Sequence, residues 1–160
     1  MFFDNNNENQ NLPQTTEITA KGNMGIGGCD TLDLVKEFGT PLYIMDEETL
    51  RSNCRQYIEA FSEIYPNSEV IFASKALSVM AIYKIIKEEG LGIDVVSGGE
   101  LFVALKAGFD PKKIYFHGNN KSAQEITEAL EANVGTIVAD NLDEIILIDK
   151  LAKKLDKTQD

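Results

Sequence analysis

The chain has 160 residues, with 43% apolar and 26% charged side chains and a formal net charge of -11. That length suits one domain with a real hydrophobic core. The acidic balance argues against a broad nucleic-acid or anionic-membrane surface, which needs clustered Lys and Arg, and leaves open a small anionic ligand held by a few local donors.

The first 28 residues are rich in Asn, Gln, Thr and Gly and poor in apolar positions. They read as a poorly ordered arm, or as a lead-in that needs another part of the protein to pack against. They lack the basic and apolar regions of a signal peptide, and no run in the chain approaches the ~20 apolar residues of a membrane span. Cys29 and Cys54 belong to no CxxC or Cys/His cluster, so two reduced thiols and no metal site are expected. A soluble, cytoplasmic protein follows as the expectation.

"TLDLVKEFGT" (31–40) predicts a short helix stopped by Gly39. "PLYIMD" (41–46) predicts a strand, with Asp46 as N-cap of a helix over 47–65. A regular beat then begins. Strands are predicted at "EVIFASK" (69–75), "LGIDVVS" (91–97), "KKIYFHG" (112–118) and "GTIVADN" (135–141), with centres Phe72, Ile93, Tyr115 and Ile137 lying 21, 22 and 22 residues apart.

Helix patterns fill the gaps. Val79, Ile82, Tyr83 and Ile86 form one apolar stripe, and Leu142, Ile145, Ile148, Leu151, Ala152 and Leu155 another. Ser97/Glu100, Ser122/Glu125 and Asn141/Glu144 have capping-box spacing, while Gly90 and Gly108 sit where helices stop. Serial strand–helix units imply parallel strands joined by right-handed crossovers, hence an α/β fold, as an open doubly wound sheet or a barrel. The period also touches the leucine-rich repeat range, but the L-x-x-L-x-L ladder is missing.

Parallel α/β folds place ligands at the carboxyl ends of their strands. That end gathers Lys75, Asp94, "SGGE" (97–100), "HGNN" (117–120), Asp140 and Asn141. Lys75 reads either as a solvated lysine whose stem covers the rim, or as a Schiff-base amine with small neighbours that admit a planar cofactor. Asp94 could point outward, form a structural ion pair, or supply an acceptor beside Lys75. "SGGE" offers backbone amides to an anion, or is simply a capped strand–helix turn. His117, the only histidine, stands beside Gly118 and two amides, as a structural or a site residue. No Walker A motif, GxSxG elbow or metal-ligand cluster is present, and "MGIGG" (24–28) lacks the flanking strand of a nucleotide loop.

"EFGTPLYIMDEETLRSNC", "FASKA", "GLGIDVVSGGEL", "AGFDPKKIYFHGNNKS" and "VADNLDEI" occur in the order and spacing of the barrel domain of diaminopimelate decarboxylases, which the chain resembles from about residue 25 onward. "SGGEL" followed by "HGNNKS" separates this family from ornithine and arginine decarboxylases and from alanine racemase. The resemblance implies an alanine racemase-like (β/α)8 TIM barrel carrying pyridoxal 5'-phosphate, plus a β-domain. About four of the eight units would lie in residues 29–160, the amino-terminal half of the barrel. Lys75 would carry the cofactor as a Schiff base, with Asp94 and His117 as supporting cofactor-binding residues.

The implied reaction is decarboxylation of meso-2,6-diaminopimelate at its D-configured centre to L-lysine, by an enzyme expected to be a homodimer at full length. In that family the phosphate loops, the acidic partner of the pyridine nitrogen and the substrate arginines lie beyond these four units. A cysteine reaching across the dimer interface also has no match at Cys29 or Cys54. The 160 residues alone are therefore expected to be inactive. Two alternatives stand beside this reading. One is a non-catalytic pyridoxal-phosphate-binding barrel protein, against which "HGNNKS" argues, and the other is a half-barrel remnant without ligand.

Overall fold

The computed structural model describes residues 12–159, so the first eleven residues of the arm lie outside it. The chain divides into two compact units, one up to Asn53 and one from Cys54 onward.

In the first unit, β1 (Glu17–Ile18), β2 (Met24–Ile26) and β3 (Cys29–Asp30) form an antiparallel sheet in that order. Ile26 faces Cys29 in register, leaving Gly27 and Gly28 as a two-residue hairpin turn with φ of 60° and 74°. Positive φ at both central residues matches the strand twist and is cheap only for glycine there. Residues read as an arm from composition thus carry strands of this sheet. Asp30 accepts hydrogen bonds from Thr19 Oγ1 (2.9 Å) and Asn23 Nδ2 (3.0 Å), and it caps α1 (Thr31–Phe38) through the Leu32 amide.

The strand predicted over 41–46 is not formed. Those residues make no ladder among the described residues, and Tyr43 is 97% exposed. A short apolar run becomes a strand only where a partner meets its backbone groups. α2 (Glu47–Ser62) follows, capped by Asp46 as expected and three residues shorter than the sequence suggests.

The second unit holds the beat. β4 (Ile71–Ala73), β5 (Gly92–Val95), β6 (Ile114–Phe116) and β7 (Thr136–Ile137) form a parallel sheet in sequential order. The helices α3 (Met80–Glu88), α4 (Gly98–Ala107), α5 (Ala123–Ala132) and α6 (Leu142–Lys154) each pack against the next. Sequential strands with a continuous helix row are the singly wound, barrel-type arrangement. A doubly wound sheet would split its helices between two faces.

Side-chain alternation then divides the sheet. Ile93, Val95, Ile114, Phe116 and Ile137 are buried in the core with Tyr83, Ile86, Leu101, Ile126 and Leu130 of the helices. Ile71, Ala73, Asp94, Tyr115, His117 and Val138 line the other face. The α3 stripe buries Ile82, Tyr83 and Ile86, while Val79 is the exposed N-cap. On α6 the expected stripe is only partly used. Leu142 and Ile145 are exposed, and Ala152 and Glu144 are buried, with α5 packed beside this helix.

Candidate functional site

β4 ends at Ala73, and a 3-10 turn over Ser74–Ala76 carries Lys75 just beyond the strand rather than within it. The Lys75 side chain is exposed and forms no hydrogen bond or ion pair among the described residues. Ser74 before it is buried, with its hydroxyl unpaired.

Asp94 stands opposite Ala73 on one side and Tyr115 on the other. The small alanine leaves the space above β4 open beside the carboxylate. Asp94 is 23% exposed and His117 50% exposed, with His117 Nδ1 4.0 Å from Asp94 Oδ2. Burial pushes the Asp94 carboxyl above the usual carboxylate value. The charges of His117 and Lys75 pull it back down, and that of Glu100 adds to the rise. The His117 backbone N–H donates to Val95 O at 2.8 Å, which continues the β5–β6 ladder to the residue that presents the imidazole.

Around these groups lies an open cavity of about 350 Å3, lined by Ile71, Ala73, Asp94, Tyr115, His117 and Val138. Lys75 is outside this lining, yet close enough for its charge to act on Asp94. The three sequence-predicted residues are therefore brought to one end of one sheet. A larger cavity of about 650 Å3 lies in the amino-terminal unit. Part of its charged lining serves the local fold, since Asp46 caps α2 and Glu47 pairs with Arg51 at 2.8 Å. Lys75, Asp94 and His117 are all absent from its lining.

The "SGGE" turn is a cap. Ser97 Oγ accepts the Glu100 amide at 3.2 Å, and the Gly98 amide donates to Glu125 Oε1 at 2.9 Å. Two of the amides that could have faced an anion are thus taken by protein oxygens. Asp140 and Asn141 likewise serve the next turn: the Asp140 amide donates to Glu144 Oε2 (2.7 Å), and Asn141 Oδ1 accepts from the Glu144 amide (2.9 Å).

Sequence reasoning missed Lys121. Its ammonium is buried and lies 3.0 Å from Glu144 Oε1, 2.6 Å from Gly118 O and 2.8 Å from Val138 O. A single lysine after "HGNN" gives no sign of burial, because Lys121 lies in a loop and its partner Glu144 on the distant α6. Cys29 is exposed and Cys54 buried, neither forms a disulfide among the described residues, and no group of His, Cys, Asp and Glu fit for a metal occurs among them. No helix among them is long and apolar enough to cross a membrane.

Residues 48–158 match the pyridoxal-dependent decarboxylases, pyridoxal binding domain, and the chain belongs to that family. It is 47% identical to a diaminopimelate decarboxylase of Bacillus methanolicus over 140 residues, covering 88% of this chain and 32% of that one. It is 51% identical to one of Synechocystis over 154 residues, covering 90% and 33%. The solved diaminopimelate decarboxylase of M. jannaschii, in co-complex with L-lysine, superposes with a TM-score of 0.85 at 41% identity, over 91% of this chain and 34% of that structure. An ornithine decarboxylase from Entamoeba histolytica shares the fold at 23% identity and a TM-score of 0.59. The chain spans about a third of the length of the diaminopimelate decarboxylases it matches.

Proposed function

We propose that this chain is the pyridoxal-5'-phosphate-binding part of a diaminopimelate decarboxylase, which converts meso-2,6-diaminopimelate to L-lysine. One observation carries the reading. An uncommitted amine, a carboxyl raised by burial and the chain's only imidazole gather at the carboxyl ends of β4, β5 and β6 beside one open cavity. The identity to diaminopimelate decarboxylases, and the L-lysine held by the M. jannaschii structure, support the substrate class.

The residues fit the cofactor. Ala73 leaves room for a flat ring, and the buried Ser74, whose hydroxyl has no partner, directly precedes Lys75 in the chain. When bound, pyridoxal phosphate supplies an electron sink for the charge left on carbon as carbon dioxide departs. Lys75 would hold the cofactor through its amine, a role that needs the neutral form. Asp94 provides an acidic group within reach of the Lys75 charge, and its proximity to His117 makes the two a pair able to hold a proton at the cavity edge. Ile71 and Val138 give the cavity apolar walls, which would help exclude water from a bound cofactor. A homodimeric, cytoplasmic whole enzyme goes with this reading.

The test is borohydride reduction of the chain incubated with pyridoxal phosphate, followed by peptide mass mapping. The expected result is a pyridoxyl adduct confined to Lys75. Labelling spread over the surface lysines, or none, would overturn the site.

A further inference from the structure

We propose that Lys121 is a positioning residue, a buried ammonium that fixes the loop presenting His117 at the mouth of the cavity. Its functional consequence rests on the reading of that mouth as the pyridoxal-phosphate site. Its geometry does not.

The Lys121 side chain is 1% exposed and that of Glu144 7% exposed. An ammonium has three N–H donors, and here each has its own acceptor: Glu144 Oε1 at 3.0 Å, Gly118 O at 2.6 Å and Val138 O at 2.8 Å. The second Glu144 oxygen accepts the Asp140 amide at 2.7 Å, so neither charge is left unpaired. Stability alone does not call for such a pair, since apolar residues of similar volume often serve as well in a core. What an apolar pair cannot supply is direction. The three bonds of Lys121 end on three separate segments: the loop after β6, the residue following β7, and the first turn of α6.

The opposite side of the same loop is fixed by shape. Gly118 has φ of +118°, and a Cβ there would stand 3.2 Å from Val96 O, so this loop runs close against the end of β5. The His117 amide is tied to Val95 O at 2.8 Å. Residues 117–121 are therefore held between β5 and β7, with Lys121 supplying the β7 side. Placed this way, His117 Nδ1 stands 4.0 Å from Asp94 Oδ2. Lys121 touches neither group and acts only through the loop.

The experiment uses the 160-residue chain, whose sole histidine makes its imidazole resonances self-assigning in NMR spectra. Lys121→Met leaves Glu144 buried without its counter-charge and lowers the denaturation midpoint. Lys121→Met/Glu144→Gln removes both charges, keeps an acceptor for the Asp140 amide and recovers most of that midpoint. In both variants, amide exchange over residues 118–121 accelerates roughly a hundredfold or more, and the His117 ring signals broaden or split.

Two outcomes for the double variant overturn the proposal. One is a recovered midpoint with unchanged exchange and His117 signals. The other is a midpoint as low as that of Lys121→Met, which would make Lys121 a brace for the whole unit. Glu144→Gln alone keeps the ammonium and both carbonyl bonds, and its loop stays protected. Loosening as large as that of Lys121→Met would also overturn the proposal. No readout here involves pyridoxal phosphate, so failure of trapping at Lys75 and failure of the clamp are separate results.

Discussion

Glu125 Oε1 accepts the amide hydrogen of Gly98 at 2.9 Å, so the carboxylate that closes one strand–helix turn also closes the turn before it. Its other oxygen takes the Ser122 amide at 2.9 Å, completing the capping box of α5. Glu100 and Glu144 repeat the arrangement. Glu100 takes the Val96 amide at 2.6 Å and lies 3.0 Å from Ser78 Oγ in the preceding loop. Glu144 takes the Asp140 amide and pairs back to Lys121. Three glutamates, each at the third position of its helix, thus link four successive strand–helix turns along the rim that carries Lys75, Asp94 and His117.

Glu125→Ala removes the middle link and leaves the Gly98 and Ser122 amides without their acceptor. Hydrogen bonds to a charged partner contribute about 1.5–3 kcal/mol each, and lost caps about 1 kcal/mol. The expected loss is about 2–3 kcal/mol in urea denaturation, with Glu125→Gln retaining part of it. The Gly98 amide, then the Ser122 amide and hydroxyl, hold the Glu125 carboxyl below its ordinary 4.5. Its stabilisation is therefore fully present above pH 4.5 and is lost as pH falls through the lower folded value. In Glu125→Ala the stability curve should flatten in that acid range. An unchanged acid limb would sink the assignment.

Asp94 carries the opposite sign. Burial raises its carboxyl above the ordinary 3.8, so between the two values the folded state binds the extra proton. The cost of the buried charge is fully present at neutral pH. It is relieved as pH falls through the folded value and levels off below 3.8. Asp94→Asn removes the charge at every pH. The variant should melt higher than the parent at pH 7, and the difference should shrink on acidification. A variant that melts lower at pH 7 would mean that Asp94 is held by partners rather than penalised by burial.

Lys75 is exposed and unpaired among the described residues, so Lys75→Ala should change stability by no more than about 0.5 kcal/mol. The same change should abolish the borohydride-trapped pyridoxyl adduct. A melt that drops by several kcal/mol would show that the amine is structural after all. An adduct that persists at full yield would place the reactive lysine elsewhere.

These contrasts mark what the sequence can and cannot tell. Strand centres were legible because Phe72, Ile93, Tyr115 and Ile137 sit in apolar runs at a steady interval, and a core requires such runs. Ser122/Glu125 closes as the literal capping box. At Ser97/Glu100 and Asn141/Glu144 the same spacing is present, but the glutamate reaches one residue further back, to Val96 and Asp140. "PLYIMD" forms no strand because an apolar run says a segment is able to extend, not what it pairs with. Lys121 was invisible for a related reason. Whether a charge is buried depends on a carboxylate 23 residues away that only the fold brings near. The hairpin at Gly27 and Gly28 hid in a stretch whose polar composition resembles disorder, since two glycines in register do what apolar bulk does elsewhere.

Two glycine-to-alanine changes separate space from propensity. A Cβ on Gly135 would stand 2.2 Å from Lys112 O and 2.8 Å from Lys112 C, both backbone atoms that no rotamer can move aside. The strand approaches that closely because the Gly135 amide donates to Pro111 O at 2.8 Å, just before β7 pairs with β6. Gly135→Ala should therefore cost about 1–3 kcal/mol, at the upper end if the β6–β7 ladder shifts. Gly99, in the first turn of α4, has only Ser97 Oγ at 3.8 Å from its would-be Cβ, an ordinary contact. Alanine there gains helix propensity and restricts the unfolded chain, so Gly99→Ala should stabilise by about 0.4–1 kcal/mol. Urea denaturation of both variants reads the two signs directly. If Gly135→Ala were neutral, the close approach of β7 to the 3-10 turn at Pro111–Lys113 would be wrong. If Gly99→Ala were destabilising, the backbone at "SGGE" would be reserved for something closer than its own cap.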